Sequence, residues 1–235
     1  MAKADISADQ RRLRHFMVKN ALESIIKFEG EGAQRNPDEW VDNVDPHEQY
    51  TVKKGVAPHD AIENLWHKYG AEHDLVPKTG CKKAVELVYL KSLIDLAKEK
   101  DAKNGNHDIL DELDQRIGHN RSPSDLLYGK QAKIKWPAQT KSAGWSIKDL
   151  IPGDRTWVEN PYYVSGHGTQ GSNEIYIGGK AFVGLATQEL AHGEIFDGLT
   201  ALQTHVRGFS GHANGPLNNF KIIRVYQPTV PSFFA

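Results

Sequence analysis

Hydrophobic residues recur with helical spacing through the first half of the chain. The pattern predicts an amphipathic helix over residues 8–28 and further helices at Pro58–Tyr69 and near Ile109–Gln115. Between the first two helices, Gln49–Lys54 predicts a short strand. The clearest helix begins at Cys81, where CKKAVELVYLKSLIDLAKEK carries an apolar band that is broad enough for a central, buried helix.

The pattern changes after Pro152 to short runs of strand-forming residues separated by glycines. Strands are predicted at Asp154–Val158, Glu174–Ile177, Lys180–Val183 and Phe220–Tyr226, with a hairpin turn at Gly178-Gly179. Residues 186–206 favour a helix over a strand. Helices followed by a meander of strands indicate an α+β fold, in which a central helix packs on a small antiparallel sheet and a helical extension precedes the core.

Composition and charge restrict the classes of partner. The 235 residues are 39% hydrophobic and 25% charged, which is typical of one globular domain spanning 1–235. Their net charge of −1 argues against a nucleic-acid or anionic-membrane partner. No apolar run approaches the roughly 18 residues of a membrane span, and the first residues lack the apolar core of a signal peptide. We therefore expect a cytoplasmic protein, or an effector or toxin exported by a non-classical route.

The one cysteine is the main chemical candidate. A single thiol excludes an internal disulfide and a multi-thiolate metal site, and no metal-binding motif is present. At a helix start, Cys81 faces the positive end of the helix dipole, with Lys82 and Lys83 beside it. These charges predict a thiol pKa below the ordinary value, and backbone N–H groups suited to an oxyanion. Position alone favours a nucleophile and a small buried hydrophobic residue about equally.

Four stretches occur in an order typical of one enzyme family. They are DPHEQYTVKKGVAPHDAIENLW, GCKKAVELVYLKSLIDL, PGDRTWVENP and GSNEIYIGGKAF. Together they resemble the bacterial protein-glutamine γ-glutamyltransferases, the small spore-type transglutaminases, from about residue 45 to 185. The resemblance implies a papain-like core related to NlpC/P60 hydrolases at 45–185, with a helical extension at 1–40 and a C-terminal extension at 186–235.

The resemblance also implies an activity and its substrates. The family's chemistry is calcium-independent acyl transfer from a glutamine side chain to a lysine amine, without a cofactor or metal. Its partners are proteins that carry those two side chains, and the reaction proceeds through a cysteine thioester. On the same core, a glutamine deamidase or a cysteine amidase or peptidase is an alternative. An inactive relative with a binding or structural role is an alternative of another class.

Residue by residue, the resemblance identifies Cys81 as the nucleophile. The family's acidic residue before that cysteine is Gly80 here, and its acidic partner falls on Ser172 or Asn173. Glu174 is a possible substitute, because alternate residues of a strand share a face. Further catalytic candidates are His167, in a glycine-rich loop, and Asp154, for which a turn role is the simpler interpretation; His192, His205 and His212 are later rival bases.

Overall fold

The computed structural model of the protein describes residues 6–23, 39–41, 51–67, 81–119, 127, 134–164, 170–185, 194–210 and 214–235. Its α-helices are α1 (Ala8–Leu22), α2 (Pro58–His67), α3 (Cys81–Asn104), α4 (Asp108–Ile117) and α5 (Gly198–Phe209). Its strands are β1 (Trp40–Val41), β2 (Thr51–Val52), β3 (Ala138–Thr140), β4 (Arg155–Glu159), β5 (Gly171–Gly178), β6 (Ala181–Gly184), β7 (Glu194–Asp197) and β8 (Ile222–Tyr226).

Six of these strands form one antiparallel sheet in the order β3-β8-β4-β5-β6-β7, and β1 and β2 form a separate pair. Alternate residues of the sheet contribute to two hydrophobic layers. Ile175 and Val183 pack with α1, α2, α3 and α4 on one face. Tyr176 and Phe182 pack with α5 on the other face. The sheet is therefore covered on both sides.

Helix α3 is the centre of the helical layer. It packs against α1, α2, α4 and β5. Its apolar residues are buried around most of its circumference, as its broad apolar band predicts. Truncating one of its fully buried leucines, such as Leu87 or Leu93, removes packing of the kind that typically stabilises a domain by about 2–5 kcal/mol. This packing holds the first residue of the helix, Cys81, against the sheet.

The predicted α+β architecture is confirmed, with five helices and a six-stranded antiparallel sheet among the described residues. The glycine hairpin joins β5 to β6 as predicted, with positive φ at both Gly178 and Gly179. The first helix is observed over Ala8–Leu22, and residues 24–28 of the prediction lie outside the described part. In the part of the chain that the structure describes, no helix is long and apolar enough to cross a bilayer.

Two strand assignments correct the sequence-based expectations. In the described part of the helix expected over 186–206, Glu194–Asp197 pairs with β6 as a strand and the helix begins at Gly198. Residues 186–193 of that prediction lie outside the described residues. In that pairing Phe196 lies opposite Phe182 and is buried against it, which a helix would not achieve. Strand β3 was not predicted, since its three residues are all exposed and it is defined only by pairing with β8.

Candidate active site

Cys81 is the first residue of α3 and faces strand β5. Its sulfur accepts a hydrogen bond from the side-chain amide of Asn173, with Nδ2 at 3.4 Å from Sγ. The cysteine residue is half-buried. Thus the packing of α3 on the sheet brings together a thiol and an amide that are 92 positions apart in the sequence.

The orientation of the Asn173 amide is determined by Arg155 on β4. Arg155 donates to Oδ1 of Asn173 from Nε at 3.0 Å and from Nη2 at 2.6 Å. Because a guanidinium group only donates, the carbonyl end of the amide must face Arg155 and the NH₂ end must face the sulfur. Arg155 is itself held over the ring of Tyr226, 4.2 Å from its centroid, and near Glu86 Oε1, 3.9 Å away.

Burial raises the pKa of the Cys81 thiol above its ordinary value. Hydrogen bonds from Asn173 and the positive charge of Arg155 lower the pKa, whereas the charge of Glu174 raises it further. The expectation of a lowered thiol pKa is therefore wrong, because the loss of water around the sulfur outweighs the favourable charges. Lys82 is one of the two lysines that were predicted to lower the thiol pKa. Its side chain is exposed, and its Nζ lies 3.8 Å from Glu86.

Glu174 lies on the other face of β5. It pairs with Thr156, and directly paired residues share a sheet face. Its Oε2 is 3.5 Å from Thr156 Oγ1, while Oε1 is buried without a hydrogen-bond partner among the described residues. Burial raises the pKa of Glu174 to about 8, and Ser172 and Thr156 oppose that rise. Alternation places Ser172 on the same face, so Asn173 contacts Cys81 whereas Ser172 and Glu174 point away from it.

Asp154, the predicted supporting residue, contacts Arg14 and Ile151 rather than Cys81. Asp154 is fully buried, accepts a hydrogen bond from Arg14 Nη1 at 2.8 Å and another from the Ile151 amide at 2.9 Å. Burial raises the pKa of this carboxyl in spite of Arg14. The aspartate therefore joins α1 to the start of β4, and its contacts are those of a structural residue.

Of the histidines considered, one belongs to the described residues. His205 lies on α5, with its ring 4.5 Å from that of Phe196 and its Nδ1 3.7 Å from Glu194, and burial lowers its pKa. His167, His192 and His212 lie outside the described residues, as does Gly80. The described residues hold no cluster of three or more His, Cys, Asp or Glu side chains that suits a metal ion.

A cleft of about 760 Å³ adjoins the thiol. Lys82, which follows Cys81, and Asn173, which contacts its sulfur, both line this cleft. The floor includes Gly171, where a Cβ would come within 2.2 Å of the Val158 carbonyl oxygen. Only glycine permits that close approach of β5 to β4. The volume lies in the range of small-molecule binding sites, and the cleft is next to Cys81 through its neighbours Lys82 and Asn173.

Sequence reasoning missed Arg155 and Glu86, the charged pair behind Asn173. Both are buried, with Arg155 2% exposed and Glu86 0% exposed. The sequence contains a signal for both residues, because Glu86 interrupts the apolar band of the central helix and Arg155 lies in a predicted strand. Charged side chains in such positions are almost never fully buried unless paired.

Comparisons with known proteins agree with this architecture. The sequence profile of the family described as "Protein-glutamine gamma-glutamyltransferase" matches residues 8–207, a wider region than the predicted 45–185. A solved structure, "Transglutaminase from Geobacillus stearothermophilus (without C-terminal extension)", superimposes with a TM-score of 0.63 at 16% identity. That match covers 97% of this chain and 96% of the other. A comparison with curated protein sequences finds no match.

Proposed function

Because this chain belongs to the protein-glutamine gamma-glutamyltransferase family, a family of acyltransferases, we propose that it crosslinks proteins through a thioester on Cys81. The donor is the carboxamide of a protein-bound glutamine, and the acceptor is the ε-amine of a lysine. The product is an isopeptide bond, and no metal or organic cofactor takes part.

The proposed reaction has two halves. The Cys81 sulfur, having lost its proton, attacks the carboxamide carbon; the C–S bond forms, the C–N bond breaks and ammonia leaves with an added proton. The lysine amine then attacks the thioester carbon, the C–S bond breaks and the amine's surplus proton returns to the sulfur. Backbone N–H groups at the start of α3 are the proposed oxyanion donors, each worth about 2.7–4 kcal/mol in comparable enzymes.

One observation carries the proposal: the sulfur of the protein's single cysteine lies at the start of the central helix, beside a cleft, with an oriented amide donor 3.4 Å away. The Asn173 N–H group stabilises the thiolate more than the thiol. Arg155 adds positive charge behind it. This arrangement suits a sulfur that carries negative charge during the reaction.

An amide such as Asn173 cannot take a proton from the thiol, so the proposed proton acceptor is His167. Glu174, the other candidate from the sequence, points away from Cys81 on the opposite face of β5. His167→Ala tests this assignment, because loss of the true acceptor should abolish turnover while leaving the protein folded. Glu174→Gln should keep turnover.

Amine incorporation tests the proposed function. Wild-type protein with a glutamine donor and a labelled primary amine should release ammonia and incorporate label, with or without EDTA. Cys81→Ala and the near-isosteric Cys81→Ser should both lose incorporation and keep a free energy of unfolding within about 1 kcal/mol of wild type. Ammonia release without incorporation would instead identify a glutamine deamidase or amidase.

Two features of the site favour a second candidate function, in which the chain is a non-catalytic binding protein of the same family. The group beside the sulfur is an amide, and the thiol pKa is raised. For this candidate, neither ammonia nor labelled product forms with any glutamine donor. Asn173→Glu is the informative variant, because it places a carboxylate beside the thiol and Arg155. If this variant turns over a glutamine donor and wild type does not, the wild-type protein is a non-catalytic binding protein.

A further inference from the structure

The cleft beside Cys81 has a strongly asymmetric charge. Among its described lining residues, four side chains are cationic and none is acidic: Lys82, Lys135, Arg155 and Arg224. The chain as a whole has a net charge of −1, so this concentration is local. The aromatic side chains of Trp136, Trp157 and Tyr226 provide the apolar surface between the charges.

Strand register explains how these groups come together. Trp157 of β4 lies opposite both Arg224 of β8 and Asn173 of β5, and Arg155 lies opposite Tyr226. Directly paired residues share a face, so these side chains all project on the Cys81 side of the sheet. The guanidinium of Arg224 stacks on Trp157, 4.4 Å from the ring centroid. This stacking holds the charge at the cleft while its polar edge stays exposed.

The four charges are not equivalent. Those of Lys82 and Arg155 are partly balanced by the buried Glu86, at 3.8 and 3.9 Å. Arg224 and Lys135 are exposed, and neither forms an ion pair within the part of the chain that the structure describes. An incoming carboxylate therefore has two cations available at the outer part of the cleft, and an incoming ammonium group is repelled there.

We propose that this cleft selects the glutamine donor by acidic residues next to the reacting glutamine, with Arg224 and Lys135 as the specificity-determining side chains. The inference rests on the proposed function, since it places the donor carboxamide at Cys81. The carboxylates of the donor segment pair with the two cations, and its aliphatic portions lie against Trp157 and Tyr226. The lysine acceptor then approaches from another side of the thioester.

The test compares three donor peptides that differ only in the residues flanking one glutamine: Asp, Asn or Lys. We expect kcat/KM for amine incorporation to decrease in that order, by roughly two- to five-fold for each carboxylate–cation pair lost. Raising the salt concentration should reduce the difference between the Asp and Asn peptides. Equal rates for all three, or a preference for Lys, would overturn the inference.

Variants assign the effect to named side chains. Arg224→Gln and Lys135→Gln should each weaken the preference for Asp, and Arg224→Glu should reverse it in favour of the Lys peptide. Arg224→Lys should restore most of the preference, which a purely structural role on Trp157 would not allow. Lys54→Gln, an exposed lysine that does not line the cleft, is the matched control and should behave as wild type.

A binding readout separates this inference from the proposed function. In Cys81→Ala, fluorescence anisotropy of the three labelled peptides should show the same order of affinity without any turnover. If binding depends on charge but wild type never transfers the acyl group, the inference holds and the proposed function fails. If wild type transfers the acyl group with no charge preference, the function holds and the inference fails.

Discussion

At the scale of single residues, the state of the Cys81 thiol depends on two opposed neighbours on the same strand. Asn173 donates a hydrogen bond to the sulfur and lowers its pKa, whereas the charge of Glu174 raises it from the opposite face. Burial exceeds both effects and favours the protonated thiol. The thiol of Cys81 is therefore favoured over the thiolate in the resting protein, and the proposed reaction requires substrate binding to favour the thiolate.

This balance predicts the pH dependence of alkylation. The rate of reaction of wild-type Cys81 with iodoacetamide should rise with pH and reach half its maximum above the ordinary pKa of a cysteine. Asn173→Ala should shift that midpoint upward, because a hydrogen bond to the thiolate is lost. Glu174→Gln should shift it downward, because a nearby negative charge is lost.

The control for these variants is a glutamate on the neighbouring strand. Glu159→Gln, on the neighbouring strand β4 and half-exposed, should leave the alkylation profile of Cys81 unchanged. Shifts of Asn173→Ala and Glu174→Gln in the same direction would contradict the opposed effects described here. Unchanged far-UV circular dichroism would establish that the variants remain folded.

At the scale of elements, α1 is joined to the sheet by a buried ion pair. Arg14 of α1 is 5% exposed and donates to the carboxyl of Asp154, which is 0% exposed, at the start of β4. The Arg14 backbone also lies against Gly153, where a Cβ would approach it to 3.1 Å at a φ of +90°. The helix is therefore an integral part of the layer that supports α3.

Breaking one side of this pair should strongly destabilise the protein. Arg14→Met leaves the Asp154 carboxylate buried without its partner, a change that typically costs about 3–5 kcal/mol. Urea denaturation should show this as a lower midpoint. The double variant Arg14→Met/Asp154→Leu should recover a large part of the loss, because no unpaired charge remains buried.

The matched control lies two positions earlier on the same helix. Arg12 forms an exposed pair with Glu99, and Arg12→Gln should cost about 0–1 kcal/mol. A loss for Arg14→Met no larger than that for Arg12→Gln would show that the Arg14–Asp154 pair does not stabilise the attachment of α1.

At the scale of the whole molecule, the sheet separates a reactive face from a structural one. Cys81, Asn173 and the cleft lie on the α3 side. Glu174 lies on the opposite face of β5, where burial favours the uncharged form of its carboxyl. The free energy of unfolding of the whole chain is consequently linked to the protonation of one residue.

Glu174 should make the protein less stable as the pH rises. Its pKa is raised from 4.5 to about 8 on folding, so the folded state holds the proton more tightly than the unfolded state. Its contribution to stability is complete below the unfolded value and is lost as the pH rises through the folded value, with a limiting slope of about 1.4 kcal/mol per pH unit.

Urea denaturation at intervals from pH 5 to pH 9 measures this linkage. The free energy of unfolding of wild type should fall relative to that of Glu174→Gln until about pH 8 and then run parallel to it. Glu159→Gln should follow the wild-type curve. Parallel curves for wild type and Glu174→Gln across the whole range would show that burial of Glu174 does not govern the pH dependence.

The sequence alone determined the features that depend on local pattern. The apolar band identified the central helix headed by Cys81, the Gly-Gly pair identified the β5–β6 hairpin, and four ordered motifs identified the family. These signals are readable because helix periodicity, turn conformation and motif order are properties of neighbouring residues. Strands β1, β3 and β7 were missed, since only their partners make them strands.

The tertiary structure alone decided the chemistry of the site. The spacing of the family motifs left Ser172, Asn173 and Glu174 as alternative partners of Cys81. A shift of one residue along a strand moves a side chain to the opposite face. The packing of α3 on the sheet turns Asn173 toward the sulfur and Glu174 away from it. The thiol pKa rises for the same reason: burial is the sum of distant contacts, which no local stretch of sequence contains.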